Sequence, residues 1–303
     1  MDSVSGPDRK GASMQGRSTR QLKSADGTSL CADVYPAQSH AQLKESDVRR
    51  GIVVILHGYC EHKGRYTHVA EHLTAHGYDV LVGDLRGHGE SGGARGFVER
   101  FGDYLDDVSA FVAAANSEFG RTSARKPVLL GHSMGGLVAL HYVLANPEAL
   151  RALVLSSPFL GLKINVPAWK RYLGLAASVL YPGLKLPSGL DSKDISHDSA
   201  VCERYMSDPL VTHMATARWF TEVTSAQLDL RARAGQVRIP TVMLHAGDDR
   251  IVDAKASQAV FDRIGASDKN LTFYPGLFHE IFNETAADRE RVLTDLTNWL
   301  ADR

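Results

Sequence analysis

A serine set between glycines is the first place in this sequence where residue type and spacing suggest chemistry. Gly131-His132-Ser133-Met134-Gly135-Gly136 follows the apolar run Val128-Leu129-Leu130 and precedes an alanine- and leucine-rich stretch. Read as strand, sharp turn and helix, that order lifts the Ser133 hydroxyl clear of a sheet. Glycines two before and two after it leave room for the backbone to pass close. The turn also puts the N–H of Met134 at a helix N-terminus, where partial positive charge can stabilise an oxyanion. The chemistry expected is nucleophilic attack on a carbonyl.

A serine hydroxyl is a poor nucleophile until a base takes its proton. In this arrangement the partners follow in the order serine, acid, histidine. His213, His245 and His279 lie well after Ser133. His245 falls inside a predicted strand, whereas His279 follows the strand Leu271 to Tyr274 and the turn Pro275-Gly276, on the same side as Ser133. The acid should follow the preceding strand, Thr241 to His245, where Asp248 and Asp249 stand together; Asp253 reads as the N-cap of the next helix and is a third option. A second oxyanion donor should come from the loop after an early strand. His57-Gly58-Tyr59 directly follows Ile52 to Leu56, which makes the N–H of Tyr59 the candidate to pair with that of Met134.

These residues need a scaffold, and its pattern is visible. Ile52 to Leu56 is an unbroken apolar run rich in β-branched residues, which reads as a central strand covered on both faces. Similar runs occur at Tyr78 to Val82, Val128 to Leu130, Ala152 to Leu155 and Thr241 to His245, with a further strand at Leu30 to Tyr35. Between them, Tyr66 to His76, the stripe Leu105, Val108, Phe111, Val112, Ala115 and Phe119, Met134 to Ala145, Ala254 to Ile264 and a last helix striped by Leu293, Leu296, Trp299 and Leu300 recur at helical spacing. Alternating strand and helix predicts an α/β fold with a mostly parallel sheet flanked by helices. Gln38 to Arg50 reads as a long polar loop.

The stretch between the strands ending at Leu155 and beginning at Thr241 is far longer than a crossover needs. It predicts a helical cap, or lid, at about residues 159–236, inserted over the strand ends where ligands bind. Within it Trp169, Tyr172, Leu173, Ala176, Val179 and Leu180 fall on roughly one helical face, which would pack on the core or line an acyl pocket and touch lipid. Residues 1–18, rich in serine, glycine and charge, read as a disordered tail before a folded domain spanning 19–303.

With 34 Lys and Arg against 35 Asp and Glu, a formal charge of −1 lacks the basic excess of a nucleic-acid binder. Cys31, Cys60 and Cys202 lie far apart and form neither a disulfide framework nor a zinc spacing. No apolar run is long enough to span a membrane and the N-terminus lacks a signal-peptide core, so the expectation is a cytoplasmic protein whose cap leaves peripheral membrane contact open.

Four segments together resemble the monoacylglycerol lipase family of α/β-hydrolases and its bacterial lysophospholipase-like relatives: His57-Gly58-Tyr59-Cys60-Glu61-His62-Lys63-Gly64-Arg65-Tyr66, Asp84-Leu85-Arg86-Gly87-His88-Gly89-Glu90-Ser91, Gly131 to Gly136, and Tyr274-Pro275-Gly276-Leu277-Phe278-His279-Glu280. The resemblance implies the α/β-hydrolase fold and Ser133, Asp249 and His279 as the triad. It also implies an ion pair of Glu61 and Arg65 near a small polar pocket that receives glycerol, although four-residue spacing at a helix start equally suits a structural pair. Asp84, Arg86 and His88 read as loop-holding. Cys60 stands where many relatives have glycine, and Phe282 where some carry a polar residue.

The expected activity is therefore a serine hydrolase that cleaves the fatty-acyl ester of monoacylglycerols through an acyl-enzyme, with neither metal nor organic cofactor. Its partner would be a small amphiphilic lipid ester; the oligomeric state is not legible. Lysophospholipase or broad carboxylesterase activity is the alternative. A peptidase of the proline-iminopeptidase type would use cap acids such as Asp191, Glu203 or Asp208 to hold a substrate amine, and a non-catalytic ligand receptor is a further reading.

Overall fold

The computed structural model describes residues 16–38, 50–120, 126–163 and 168–303, with side chains of 168–173 excepted. The polar loop expected at Gln38 to Arg50 falls almost wholly outside them, as do residues 1–15 of the expected tail; Ser18 already belongs to a strand.

Eight strands form the central sheet: β1 (Ser18–Lys23), β2 (Ser29–Tyr35), β3 (Gly51–Leu56), β4 (Tyr78–Asp84), β5 (Val128–His132), β6 (Ala152–Ser156), β9 (Thr241–Ala246) and β10 (Lys269–Tyr274), in the order β1-β2-β4-β3-β5-β6-β9-β10. From β4 to β10 neighbouring strands run parallel, and β1 and β2 join antiparallel at one edge. Helices α1 (Thr67–Ala75), α2 (Gly102–Phe119), α3 (Met134–Ala145), α7 (Ala254–Arg263) and α8 (Ala286–Ala301) cover both faces.

The strands explain the layering. In β3 Ile52, Val54 and Leu56 point into the core shared with α2, α3 and α7, while Val53 and Ile55 point into the core shared with α1 and α8. Every residue of β3 is buried, as a strand between two helical layers requires. Burial of each such side chain contributes roughly 1.5–3 kcal/mol. β1 was not legible in the sequence because its alternation is almost wholly polar, with only one side of an edge strand half-covered.

Between β6 and β9 the chain forms α4 (Ala168–Leu180), a short antiparallel ribbon of β7 (Lys185–Pro187) and β8 (Met214–Thr216), α5 (Ser199–Ser207) and α6 (Ala217–Arg233). Of the two readings of the apolar face, packing on the core does not hold at its C-terminal end. Val179 and Leu180 are about 70% exposed (73% and 70%), while Gly174 and Ala177 face a cavity and Ser178 is buried against Thr221 of α6 at 2.7 Å. Trp169, Tyr172 and Leu173 lie outside the described side chains.

Candidate active site

Ser133 occupies the turn between β5 and α3 at φ 50° and ψ −117°, a conformation that L-residues rarely adopt. The turn is over-determined by its surroundings. The Ser133 N–H donates to Ser156 O at 3.0 Å, and its carbonyl accepts from Gly136, Leu137 and Phe159. A Cβ on Gly131 would come within 2.3 Å of Gly135 O, and one on Gly135 within 2.5 Å of His57 O. Only glycine lets the turn close this tightly.

Asp249 and His279 lie on the loops after β9 and β10. Asp249 Oδ2 is 2.7 Å from His279 Nδ1, and its Oδ1 accepts from the N–H groups of Ile251 and Val252 at 2.9 and 2.8 Å. Both side chains are buried. Burial pushes the Asp249 carboxyl up, but the histidine and the two amides outweigh it and hold it at about 2. For His279 burial favours the neutral ring, yet Asp249, followed by Glu280 and Glu61, raises it above the ordinary histidine value. Asp248 is exposed, Asp253 caps α7 through Lys255 N at 2.9 Å, and His245 is buried within β9. His213 sits in the insertion with its ring against Tyr205. Of the alternatives weighed in the sequence, Asp249 is the carboxylate that meets His279.

The loop after β3 is held at several points. His57 Nε2 accepts from the N–H of Leu85 at 3.0 Å, so its proton is on Nδ1, which donates to Gly58 O at 2.7 Å. Burial keeps this ring neutral, lowering it to about 3. In a trans peptide the N–H lies opposite the carbonyl, so the N–H of Tyr59 faces away from His57. Among the described residues neither Tyr59 N–H nor Met134 N–H has an acceptor within the protein. Gly58 N–H is taken by Glu61 Oε1.

Glu61 and Arg65 are brought together at 3.2 Å, but the guanidinium's closer partner is Glu280, bound bidentately at 2.6 and 2.7 Å. Glu61 Oε1 also accepts from Tyr66 Oη at 2.8 Å. Burial, reinforced by the neighbouring Glu280 charge, raises the Glu61 carboxyl. Glu61 and Glu280 stand on the cavity wall; Arg65 is behind them, not on it. Phe282 is buried in the α1–α8 core rather than at the cavity. Cys60 has φ 62°, in the left-handed region that favours glycine, and its side chain is buried beside Ile195, Tyr205 and Val211. Burial pushes its thiol up to about 12.

Asp84, Arg86 and His88 hold loops: Asp84 accepts from Lys63 N and Glu90 N, and Arg86 forks onto Asp107 at 2.7–3.1 Å. Cys31, Asp84 and Glu90 are the one group with metal-ligand proximity among the described residues, and the Lys63 ammonium already sits against both carboxylates.

Ser133, His279, Gly58, Tyr59, Glu61 and Glu280 all line a cavity of about 660 Å³. Its remaining wall is mainly apolar, including Phe159, Leu184, Leu186, Ile195, Trp219 and Phe220, most of them from the insertion. Three contributors were not singled out in the sequence. Glu280 could have been suspected from its place beside His279; His57 and Trp219 act through contacts that only the fold creates.

Residues 47–286 match the family described as serine aminopeptidase, S33. The monoacylglycerol lipase of Mycolicibacterium smegmatis is 34% identical over 83% of this chain and 88% of its own. The chain belongs to the monoacylglycerol lipase family of α/β-hydrolases. Phospholipase YtpA of Bacillus subtilis is also similar, 36% identical over 77% of this chain and 89% of its own. The crystal structure of Paleococcus ferrophilus monoacylglycerol lipase superposes with a TM-score of 0.79 at 28% identity, covering 90% of this chain and 98% of that one. No helix among the described residues is long and apolar enough to cross a membrane.

Proposed function

We propose that this chain hydrolyses the fatty-acyl ester of monoacylglycerols, with Ser133, His279 and Asp249 as the triad. The observation that carries this reading is the buried Asp249–His279 pair opening, together with the Ser133 elbow, onto a mainly apolar cavity that Glu61 and Glu280 also line. The acyl chain lies along the apolar wall and the glycerol faces Glu61 and Glu280. Arg65 acts from behind, fixing both carboxylates.

Asp249 holds the His279 ring with its proton on Nδ1, leaving Nε2 to take the Ser133 proton as Oγ attacks the ester carbonyl. Charge develops on the carbonyl oxygen, where the N–H groups of Tyr59 and Met134 receive it; one such donor is worth roughly 2.7–4 kcal/mol. Collapse breaks the bond to the glycerol oxygen, which takes the proton from His279. Water then loses a proton to His279 and attacks the acyl-enzyme, and Ser133 recovers its proton as the fatty acid leaves.

The wall composition favours this over the alternatives. The cap acids that would hold a peptidase substrate's amine are engaged or placed elsewhere: Asp208 holds His62 at 2.9 Å, Asp191 caps Lys193 N–H, and among the described residues neither they nor Glu203 line the cavity. A lysophospholipid would bring a phosphate toward two carboxylates that share one guanidinium.

The insertion serves as a cap with a lipid-facing lip. Leu162, Leu184 and Leu186 line the cavity and are also 36%, 45% and 57% exposed, and Leu175, Val179, Leu180 and Tyr181 of the same insertion are turned outward. Substrate enters there from a lipid surface. Assays on monoolein, lysophosphatidylcholine and a short p-nitrophenyl ester test the substrate assignment: monoolein should be preferred, and a clear preference for lysophosphatidylcholine would overturn it. Val179→Glu with Leu180→Glu should weaken vesicle binding while sparing hydrolysis of the short soluble ester; unchanged vesicle binding would remove the lipid-facing role.

A further inference from the structure

Both residues whose N–H groups are assigned to the oxyanion hole have side chains in contact with one residue of the insertion. Trp219, in the first turn of α6, stacks its indole on the Tyr59 ring with centroids 3.6 Å apart and planes 22° from parallel. Its Nε1–H donates to Met134 Sδ at 3.2 Å. The far end of Tyr59 is also fixed, its hydroxyl lying 2.9 Å from Gly96 O and 3.1 Å from Met214 O of β8. Gly96 has φ +65°, and a Cβ there would stand 2.6 Å from the Tyr59 hydroxyl, so this contact is closely fitted. Thr216 ties the same corner together, donating to Gly96 O at 2.8 Å.

We propose that Trp219 is a positioning residue for the oxyanion hole, through which the cap sets the direction of the Tyr59 and Met134 N–H groups. The inference rests on the reading that those two groups receive the oxyanion. The Gly58–Tyr59 peptide is restrained on its carbonyl side by His57. On the Tyr59 side the next residue is Cys60 at φ 62°, which leaves the clamped aromatic ring as the other anchor of the peptide plane. Met134 is held by α3 as well, so Tyr59 is the donor that depends most on the clamp. A cap displaced with its α6 would carry Trp219 away and loosen this donor, which links the position of the cap to the chemical step rather than to substrate entry alone.

The test uses Trp219→Leu, which refills the space without the stack or the N–H, and Trp219→Phe, which keeps a ring. Because Trp219 also lines the cavity, the substrate is p-nitrophenyl acetate, whose acyl group is too short to use the apolar wall. Removing an oxyanion donor costs about 10²–10³ in kcat, and misdirecting one should cost about 10–100-fold. Trp219→Leu is expected to lose kcat by that factor with KM changed less than about threefold, and Trp219→Phe to lose less. The second readout is inhibition by a short alkyl trifluoromethyl ketone, which adds to the serine and forms an oxyanion, against the matching carbinol, which does not. The wild-type preference for the ketone should fall in Trp219→Leu by the same factor as kcat. A Trp219→Leu enzyme that keeps both kcat and the ketone preference within about threefold of wild type overturns the inference while leaving the oxyanion assignment intact. A wild-type enzyme with no preference for the ketone overturns the assignment itself, and the inference with it.

Discussion

Replacing Arg65 by methionine should expose what the buried ion network costs and what it holds. Arg65 supplies the cation shared by Glu61 and Glu280, and all three side chains are at most 10% exposed. Removing it leaves two buried carboxylates facing one another without a counter-charge. Breaking a buried pair in this way typically costs about 3–5 kcal/mol. The protein can recover part of that loss by binding a proton, and the sign follows from linkage. A carboxyl whose folded value is raised binds protons more tightly in the folded state, so stability is present below its unfolded value and is lost as pH rises through the folded one. Glu61 is already raised, to about 7, in the intact network. Without Arg65 the Glu61 carboxyl should rise further, since the Arg65 charge is what lowered it. Between about pH 8 and pH 5.5 the variant then gains more stability than wild type does. Urea denaturation at the two pH values measures this. The loss in Arg65→Met should be about 3–5 kcal/mol near pH 8 and visibly smaller near pH 5.5. A loss below about 1 kcal/mol, or one equal at both pH values, would refute the network's role.

Other outcomes follow from the same geometry. Asp249→Asn keeps an acceptor for the Ile251 and Val252 amides but not the charge beside His279, so kcat for monoolein should fall by about 10⁴ while the urea midpoint moves little; a loss under tenfold would contradict its assignment. His279 must be neutral to accept a proton and is raised chiefly by Asp249 against the effect of burial, so kcat/KM should fall with decreasing pH along a limb centred above the ordinary value of about 6.5; a limb below that value would contradict the pairing. Cys60 is fully buried with its thiol pushed up to about 12, so iodoacetamide should modify it only after denaturation, whereas half-buried Cys202 should react first; mass spectrometry of the native protein reports the order.

How much of this was legible in the sequence varied with the range of the interactions. The mainly apolar runs of β3, β5 and β9 announced themselves, because a strand buried on both faces takes mostly apolar residues; the polar exceptions His132 and His245 are buried with hydrogen-bond partners. Ser133 and His279 followed from turn chemistry and chain order, which are local. The choice between Asp248 and Asp249 was not local: it depends on which carboxylate a loop turns inward, and only the resemblance to a family favoured one. For α4 the periodicity left open whether the apolar face packs on the core or lines a pocket and touches lipid; at its C-terminal end the first does not hold, because Ser178 is the side chain turned onto α6 while Val179 and Leu180 are exposed. The ribbon of β7 and β8 is three residues a side and includes Pro187, too short for any period to register. Arg65 was read with its neighbour four residues away, but its stronger partner, Glu280, is 215 positions distant.

The central claim is that Ser133 forms an acyl-enzyme during hydrolysis of a monoacylglycerol. Purified enzyme treated with a long-chain fluorophosphonate and analysed by peptide mass spectrometry, alongside monoolein turnover by wild type and Ser133→Ala, tests it most directly. A single phosphonyl adduct on Ser133, loss of the adduct in Ser133→Ala, and a fall in monoolein hydrolysis of about 10⁶ or to background are predicted. An adduct elsewhere, or a Ser133→Ala enzyme that still releases oleate at the wild-type rate, would contradict the claim.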